Sequence, residues 1–417
     1  MLGWGGILRL CLVNMALGGL AALPVNLFNR LMTVELALPA LLPGLLVALH
    51  YAVQLSRPVW GHRSDRGGAR APFILGGLAL LGAAITLAAW GVGLAERSLP
   101  MALLVWTVAY VAIGIGVAAA GTSFLALLAA AAPGHRRGAA ATFAWLFLIL
   151  GAILGSVGTG AALEPYSPAR LVTVVAAVAA IAVVLAAIGV LGAERKVAVI
   201  PPPEGEGALG PALRAAWADR RTRAFTGFVF LSILAYYLSE LVFEPFAGHV
   251  HGLSPEESTT LSGGKDGAAL LGMIAAGALS TFGLLGLRGW AILGCGVSAA
   301  GLLALGAGTA ILPATVILGL GNGMFVVGAV GSMMRLAAEA EGRTGVRMGV
   351  FGAAQAIAAG LAGLVATATL DLFRLILDDA AAYGLLFAVE AALFVAAAAV
   401  AAQVLRPAAA PVPVPGE

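Results

Sequence analysis

The chain has 417 residues, of which 61% are hydrophobic and only 10% charged, with a formal net charge of +3. Soluble domains carry roughly 45–50% apolar and about 25% charged residues, so no water-soluble fold of this size hides so much apolar side chain. Disorder needs low hydrophobicity and high charge, and collagen needs a strict glycine period; a polytopic membrane protein remains.

Apolar runs long enough to cross a bilayer, about 18–25 residues, predict twelve helices in chain order. The first six fall at 6–28, 37–56, 72–94, 100–130, 139–162 and 169–192. The second six fall at 225–246, 263–284, 287–308, 311–334, 347–372 and 380–404. The first run carries only Arg9 and reads as a retained helix, not a cleaved signal peptide. The one long polar stretch, 194–223, opens with Glu194-Arg195-Lys196 and PPPEGEG, a stiff, solvated composition. It ends in PALRAAWADRRTRAF, whose Leu213, Trp217 and Phe225 among arginines suit a basic helix on the membrane surface. The organisation is therefore all-α: a six-helix bundle over 1–193, a linker over 194–223, a second six-helix bundle over 224–405, and a tail over 406–417.

With the spans placed, 18 of the 23 lysines and arginines fall on the linker side, leaving Arg30, Arg97, Arg170, Lys265 and Arg374 on the other. The positive-inside rule then predicts a cytoplasmic linker and cytoplasmic termini. A faint repeat supports two equivalent halves. GIGVAAAG (114–121) and GLGNGMFVVGAVG (319–331) lie in the fourth helix of each half, and each half continues to an arginine-bearing loop. Paired bundles of this kind are a transporter architecture. The two cysteines, Cys11 and Cys295, sit in separate apolar runs and form neither a disulfide framework nor a thiol metal site.

Between helices two and three lies GHRSDRGGAR, residues 61–70. It resembles the signature loop of the major facilitator superfamily, with Gly61, Asp65, Arg66, Gly68 and Arg70 in place. Glycine suits a tight turn, and Asp65 can accept from helix N-terminal amides or pair with an arginine, latching the bundles together. The counterpart at 277–289 keeps its glycines but has no acid, so a one-sided latch is expected.

Two further segments sharpen the resemblance: FNRLMTVELALPALLPGLLVALHYAVQLSRPVWGHRSD (28–65) and LSELVFEPFAGHVHGLSPEESTTLSGGKDGAALLGM (238–273). They resemble the PucC/LhaA-type bacteriochlorophyll-delivery branch of that superfamily, over about residues 5–405. Lys265-Asp266 departs from the residues expected there. The resemblance implies a non-enzymatic factor that binds bacteriochlorophyll a as cargo, or chaperones antenna polypeptides of the LH1 or LH2 type. It implies work in the photosynthetic inner membrane, among lipids and beside pigment-synthesis enzymes or translocation machinery.

Such a carrier needs an axial ligand for magnesium, for which neutral imidazole is suited. His50, next to Tyr51 and Gln54, is the foremost choice; an imidazole bonded to a neighbouring helix is the alternative. Glu390, amid YGLLFAVEAALF, could donate to a ring carbonyl, carry a proton in a porter, or bond another helix. Asn29, Arg30, Glu35, Glu240 and Glu244 group near the outer ends of helices one and seven as an outer gate or docking surface. A proton-coupled transporter of a small, mostly apolar solute is the alternative function. No metal-ligand spacing and no nucleophile–base pair point to an enzyme, and the scattered arginines do not suit nucleic acid.

Overall fold

In the computed structural model the described residues are 1–25, 27–32, 36, 38, 41–66, 69–163, 165–194, 208–253, 255–339 and 343–405. Among them the regular elements are all helical, and twelve long ones follow the predicted spans. These are α1 (Trp4–Val25), α2 (Leu41–Val53, a 3-10 turn at Gln54–Ser56, then Arg57–Arg66), α3 (Ala71–Ala95), α4 (Leu99–Ala131), α5 (Arg137–Ala162) and α6 (Pro168–Val190). The second six are α7 (Arg220–His251), α8 (Pro255–Thr281), α9 (Leu287–Gly306), α10 (Ile311–Ala338), α11 (Thr344–Arg374) and α12 (Asp379–Val404).

Local chemistry sets the ends. The Ser167 hydroxyl accepts from the Arg170 amide at 3.1 Å to start α6, and the Asp378 carboxylate accepts from the Ala381 amide at 2.8 Å to start α12. Gly252, at φ 65°, supplies the left-handed residue that ends α7.

The packing repeats between halves. α1 packs on α5 and α6, α3 on α4 and α6, and α2 on α4. Six helices later, α7 packs on α11 and α12, α9 on α10 and α12, and α8 on α10. The bundles meet where α2 lies on α11, α5 on α8 and α10, and α4 on α10 and α11. Ten of the helices are apolar and long enough to cross a membrane. The other two, α2 and α8, both lie against the opposite bundle, which shields part of their surface from lipid and accommodates polar side chains.

Several sequence expectations shift here. Arg57, counted with the loops, lies inside α2, because that helix continues through Arg66. The seventh helix, predicted to end at 246, runs on so that His249 and His251 occupy the last turn of α7. Lys265 stands about three turns into α8 and is buried, its ammonium 5.2 Å from the centre of the Phe243 ring. The linker's surface helix is Leu209–Ala218, which buries Ala212 and Ala216 against Val346 at the start of α11. Residues 195–207 and 406–417 lie outside the described residues.

Candidate functional site

A narrow cavity runs between the bundles as two lobes that share Trp145, Val330, Met333 and Gln355. One lobe, about 120 Å³, is walled mainly by apolar side chains but receives the polar groups of Asn14 of α1, Arg57 of α2 and Gln355 of α11. The other, about 110 Å³, is walled by Val229, Ile233, Tyr236, Tyr237, Met273 and Phe325. Asn14 is held by donating to the Ala144 carbonyl at 2.6 Å. The Arg57 guanidinium donates through Nε (3.2 Å) and Nη2 (2.5 Å) to Gln54 Oε1. Glycines at 121 and 352 leave room for its Nη1, since a Cβ on Gly352 would stand 2.9 Å from it.

These residues belong to a stripe along α2. His50, Gln54, Arg57, Gly61 and Asp65 recur at spacings of four, three, four and four, one face of a helix. The sequence reading singled out four of the five but assigned Arg57 to a loop; helical spacing from Gln54 to Gly61 was the available signal. Asn14, Trp145 and Gln355 come from separate helices and share no local motif.

At one end of the stripe stands the latch. Asp65 Oδ1 accepts from Arg70 Nη2 at 2.9 Å, and both partners are nearly fully buried. Its oxygens also accept from the amide of Gly345 at 2.8 and 2.9 Å, and Oδ2 from that of Val346 at 3.1 Å. Those amides belong to the first turn of α11, which has no intrahelical partners for them, so one bundle's carboxylate caps a helix of the other. Gly61 and Gly345 allow the approach, because a Cβ on either would collide with the other's backbone. Glu194 adds an acceptor the sequence reading left in the linker: its Oε1 takes the Arg70 amide and, at 2.9 Å, the Ala71 amide at the head of α3. Arg66 is exposed, and Gly68 lies outside the described residues.

The pseudo-equivalent contact between α5 and α8 has no such acid. There Gly138 meets Ser280, Gly277 meets Thr142, and Thr142 Oγ1 reaches the Met273 carbonyl at 3.5 Å. Nearby, Asp219 heads α7, accepting from the Arg221 amide, the Thr222 hydroxyl and, at 2.8 Å, Arg347 of α11. Partial burial alone would raise the Asp219 carboxyl, but Thr222, Arg221 and Arg347 outweigh it and hold it below the usual carboxylate range.

His50 is buried near the other end of the stripe, its ring 4.3 Å from that of Tyr51. Its Nδ1–H donates to the Val47 carbonyl at 2.7 Å, so in the neutral ring the lone pair stands on Nε2. Gln54 is engaged by Arg57. Glu390 is fully buried on α12, which packs on α7 and α9; His50 and Glu390 therefore sit in different bundles. Of the expected outer cluster, Glu35 lies outside the described residues, as do the side chains of Asn29, Arg30, Glu240 and Glu244. The described network on that side joins Arg374, His249 and Tyr383: Arg374 Nη2 donates to His249 Nδ1 at 3.0 Å and to Tyr383 Oη at 3.3 Å, while its Nε pairs with Asp379 at 2.8 Å.

A fold of two six-helix bundles around a central cavity is shared with solved transporters. A bacterial homologue of the iron transporter ferroportin, in its outward-facing state, superposes with a TM-score of 0.77 at 14% identity, over 96% of this chain and 99% of that one. The E. coli fucose:proton symporter gives 0.69 at 15%, over 95% and 98%. At such identities the likeness is one of fold, that of the major facilitator superfamily. The model of the PUCC protein family matches residues 27–409. The chain belongs to the PUCC protein family. Two relatives bear this out. The "Bacteriochlorophyll synthase 44.5 kDa chain" of Rhodobacter capsulatus is 48% identical over 411 residues, covering 97% of this chain and 96% of that protein. "Protein PucC" of Cereibacter sphaeroides is 30% identical, covering 92% and 88%. This PUCC chain is thus a multi-pass membrane protein linked to photosynthetic pigment and light-harvesting function.

Proposed function

We propose that the chain is a non-enzymatic assembly factor for light-harvesting complexes, delivering bacteriochlorophyll to antenna polypeptides, chaperoning those polypeptides, or both. The observation that carries this reading is the family match over nearly the whole chain, together with 48% identity to a protein named for bacteriochlorophyll synthesis. That name speaks of a synthase. The non-enzymatic reading is supported instead by the transporter fold and by a cavity whose polar groups are placed to bind.

The structure adds a surface suited to greasy cargo. A groove of about 450 Å³ between α1, α5 and α6 is lined by Gly19, Gly151, Gly155, Gly158, Ala177 and Ile181. Small residues leave a flat face on which a macrocycle or a transmembrane helix can lie closely. The two central lobes are smaller than sites for drug-sized ligands, which run about 300–1,000 Å³. Pigment with its long tail is therefore assigned to an outer face such as this groove, which His50, buried on α2, does not line. By charge asymmetry the linker side and both termini face the cytoplasm of a photosynthetic inner membrane.

The test is co-purification of detergent-solubilised protein from a pigment-making host. Bacteriochlorophyll absorption or antenna polypeptides in the purified fraction is the expected result; absence of both overturns the reading. Full pigment retention by His50→Ala would remove that side chain as ligand. A second reading, proton-coupled transport of a small solute, is favoured by the fold, the latch and the fully buried Glu390. It predicts proton-driven uptake in liposomes, lost in Glu390→Gln.

A further inference from the structure

We propose that the cavity between the bundles binds a small organic carboxylate with a flat apolar body, its carboxylate on Arg57 and its body in the aromatic lobe. This goes beyond pigment delivery, because the site is interior and too small for a macrocycle.

The charge comes first. Among the described residues Arg57 has Gln54 as its only hydrogen-bond partner, and no carboxylate pairs with it. A guanidinium within a membrane-spanning bundle is costly unless it meets water, an acceptor or an anion, and such residues mark ligand pathways. Gln54 Oε1 is neutral and leaves the positive charge uncompensated.

The remaining donors have a shape. A guanidinium carries five N–H groups, and Gln54 takes Nε–H and one on Nη2. Three are left, and two of them, one N–H on Nη1 and one on Nη2, form the end-on pair, parallel and spaced for the two oxygens of a carboxylate. Gly352 lacks the Cβ that would stand 2.9 Å from Nη1. A point anion such as chloride satisfies the charge but not the fork.

The second lobe supplies the other half of the ligand. It joins the Arg57 lobe at Trp145 and Gln355 and is walled by Tyr236, Tyr237, Phe325 and Met273. Aromatic and thioether walls favour a planar apolar body over a hydrated one. Each lobe holds one small moiety, so the arrangement selects an amphiphilic, single-ring acid.

Thermal unfolding of the full chain in lipid nanodiscs tests this with benzoate, neutral benzamide and chloride at equal ionic strength. Benzoate is expected to raise the midpoint with concentration, as a ligand of the folded state must, while benzamide and chloride leave it unchanged. Arg57→Gln should weaken benzoate at least tenfold, and Trp145→Ala should weaken it too. No shift with benzoate, an equal shift with benzamide or chloride, or an unchanged response in Arg57→Gln overturns the proposal. Should Arg57→Gln not fold, labelled benzoate bound to Trp145→Ala and Gln355→Ala decides, and unchanged affinity in both overturns it. Pigment co-purification reads a different surface, so either idea can fail alone.

Discussion

Asp65 reaches from one half of the molecule to the backbone of the other. Its carboxylate is buried, paired with Arg70 and bonded to two amides of the other bundle. Breaking a buried pair by removing one partner costs about 3–5 kcal/mol, because the remaining charge stays desolvated. Asp65→Asn keeps the volume and one acceptor but removes the charge, leaving Arg70 without its counter-ion. It is expected to lower the unfolding midpoint and open the linker side. A cysteine at Ser64, a position that is fully buried on the same helix, provides the readout. It should resist a membrane-impermeant maleimide in the parent and react in Asp65→Asn; equal protection in both would show that the latch does not hold the seam. The motif's residues were legible from their spacing but not their conformation: Gly61–Arg66 is the end of α2, so Gly61 serves close approach to α11 and not a tight turn. The partners of Asp65 in α11 were not legible, since Gly345 and Val346 contribute only backbone.

Among the elements, the seam between α1 and α5 shows how glycine sets helix distance. A Cβ on Gly155 would stand 2.5 Å from the Gly19 carbonyl oxygen, whereas Gly158, one turn on, has open space beside it. Leucine at the two positions should therefore act in opposite ways. Gly155→Leu must drive the helices apart, at a cost of about 1–3 kcal/mol or more. Gly158→Leu only fills the lipid-facing groove and adds helix propensity. Midpoints in the same nanodiscs check this, and comparable losses would contradict the packing. The sequence placed nearly every span to within a few residues, because an unbroken apolar run has only one use in a bilayer. It erred at α2, where helix continues through Arg66 against α11, and at α8, where helix already begins at Pro255. That error hid Arg57: an arginine beyond an apolar run reads as a loop charge until the helix is seen to continue past it.

At the scale of the whole molecule, each bundle closes its own set of contacts, and the second repeats the first six helices later. What joins them is α2 on α11, α5 on α8 and α10, α4 on α10 and α11, the Asp65 cap, and the linker helix resting on Val346. With this division, any reorientation of the bundles about the cavity must break the Asp65 seam. It also predicts that the linker is dispensable for folding, if it serves to keep the bundles at high local concentration. Residues 1–194 and 208–417 expressed as two polypeptides in one membrane should then co-purify, because the bilayer already confines both. Asp65→Asn should reduce recovery of the partner, as it removes the charged contact across the seam, while Gly158→Leu on the lipid-facing groove should not. Halves that accumulate separately, or co-purify equally well with Asp65→Asn, would mean that apolar contacts near the cavity, and not the latch, hold the bundles together.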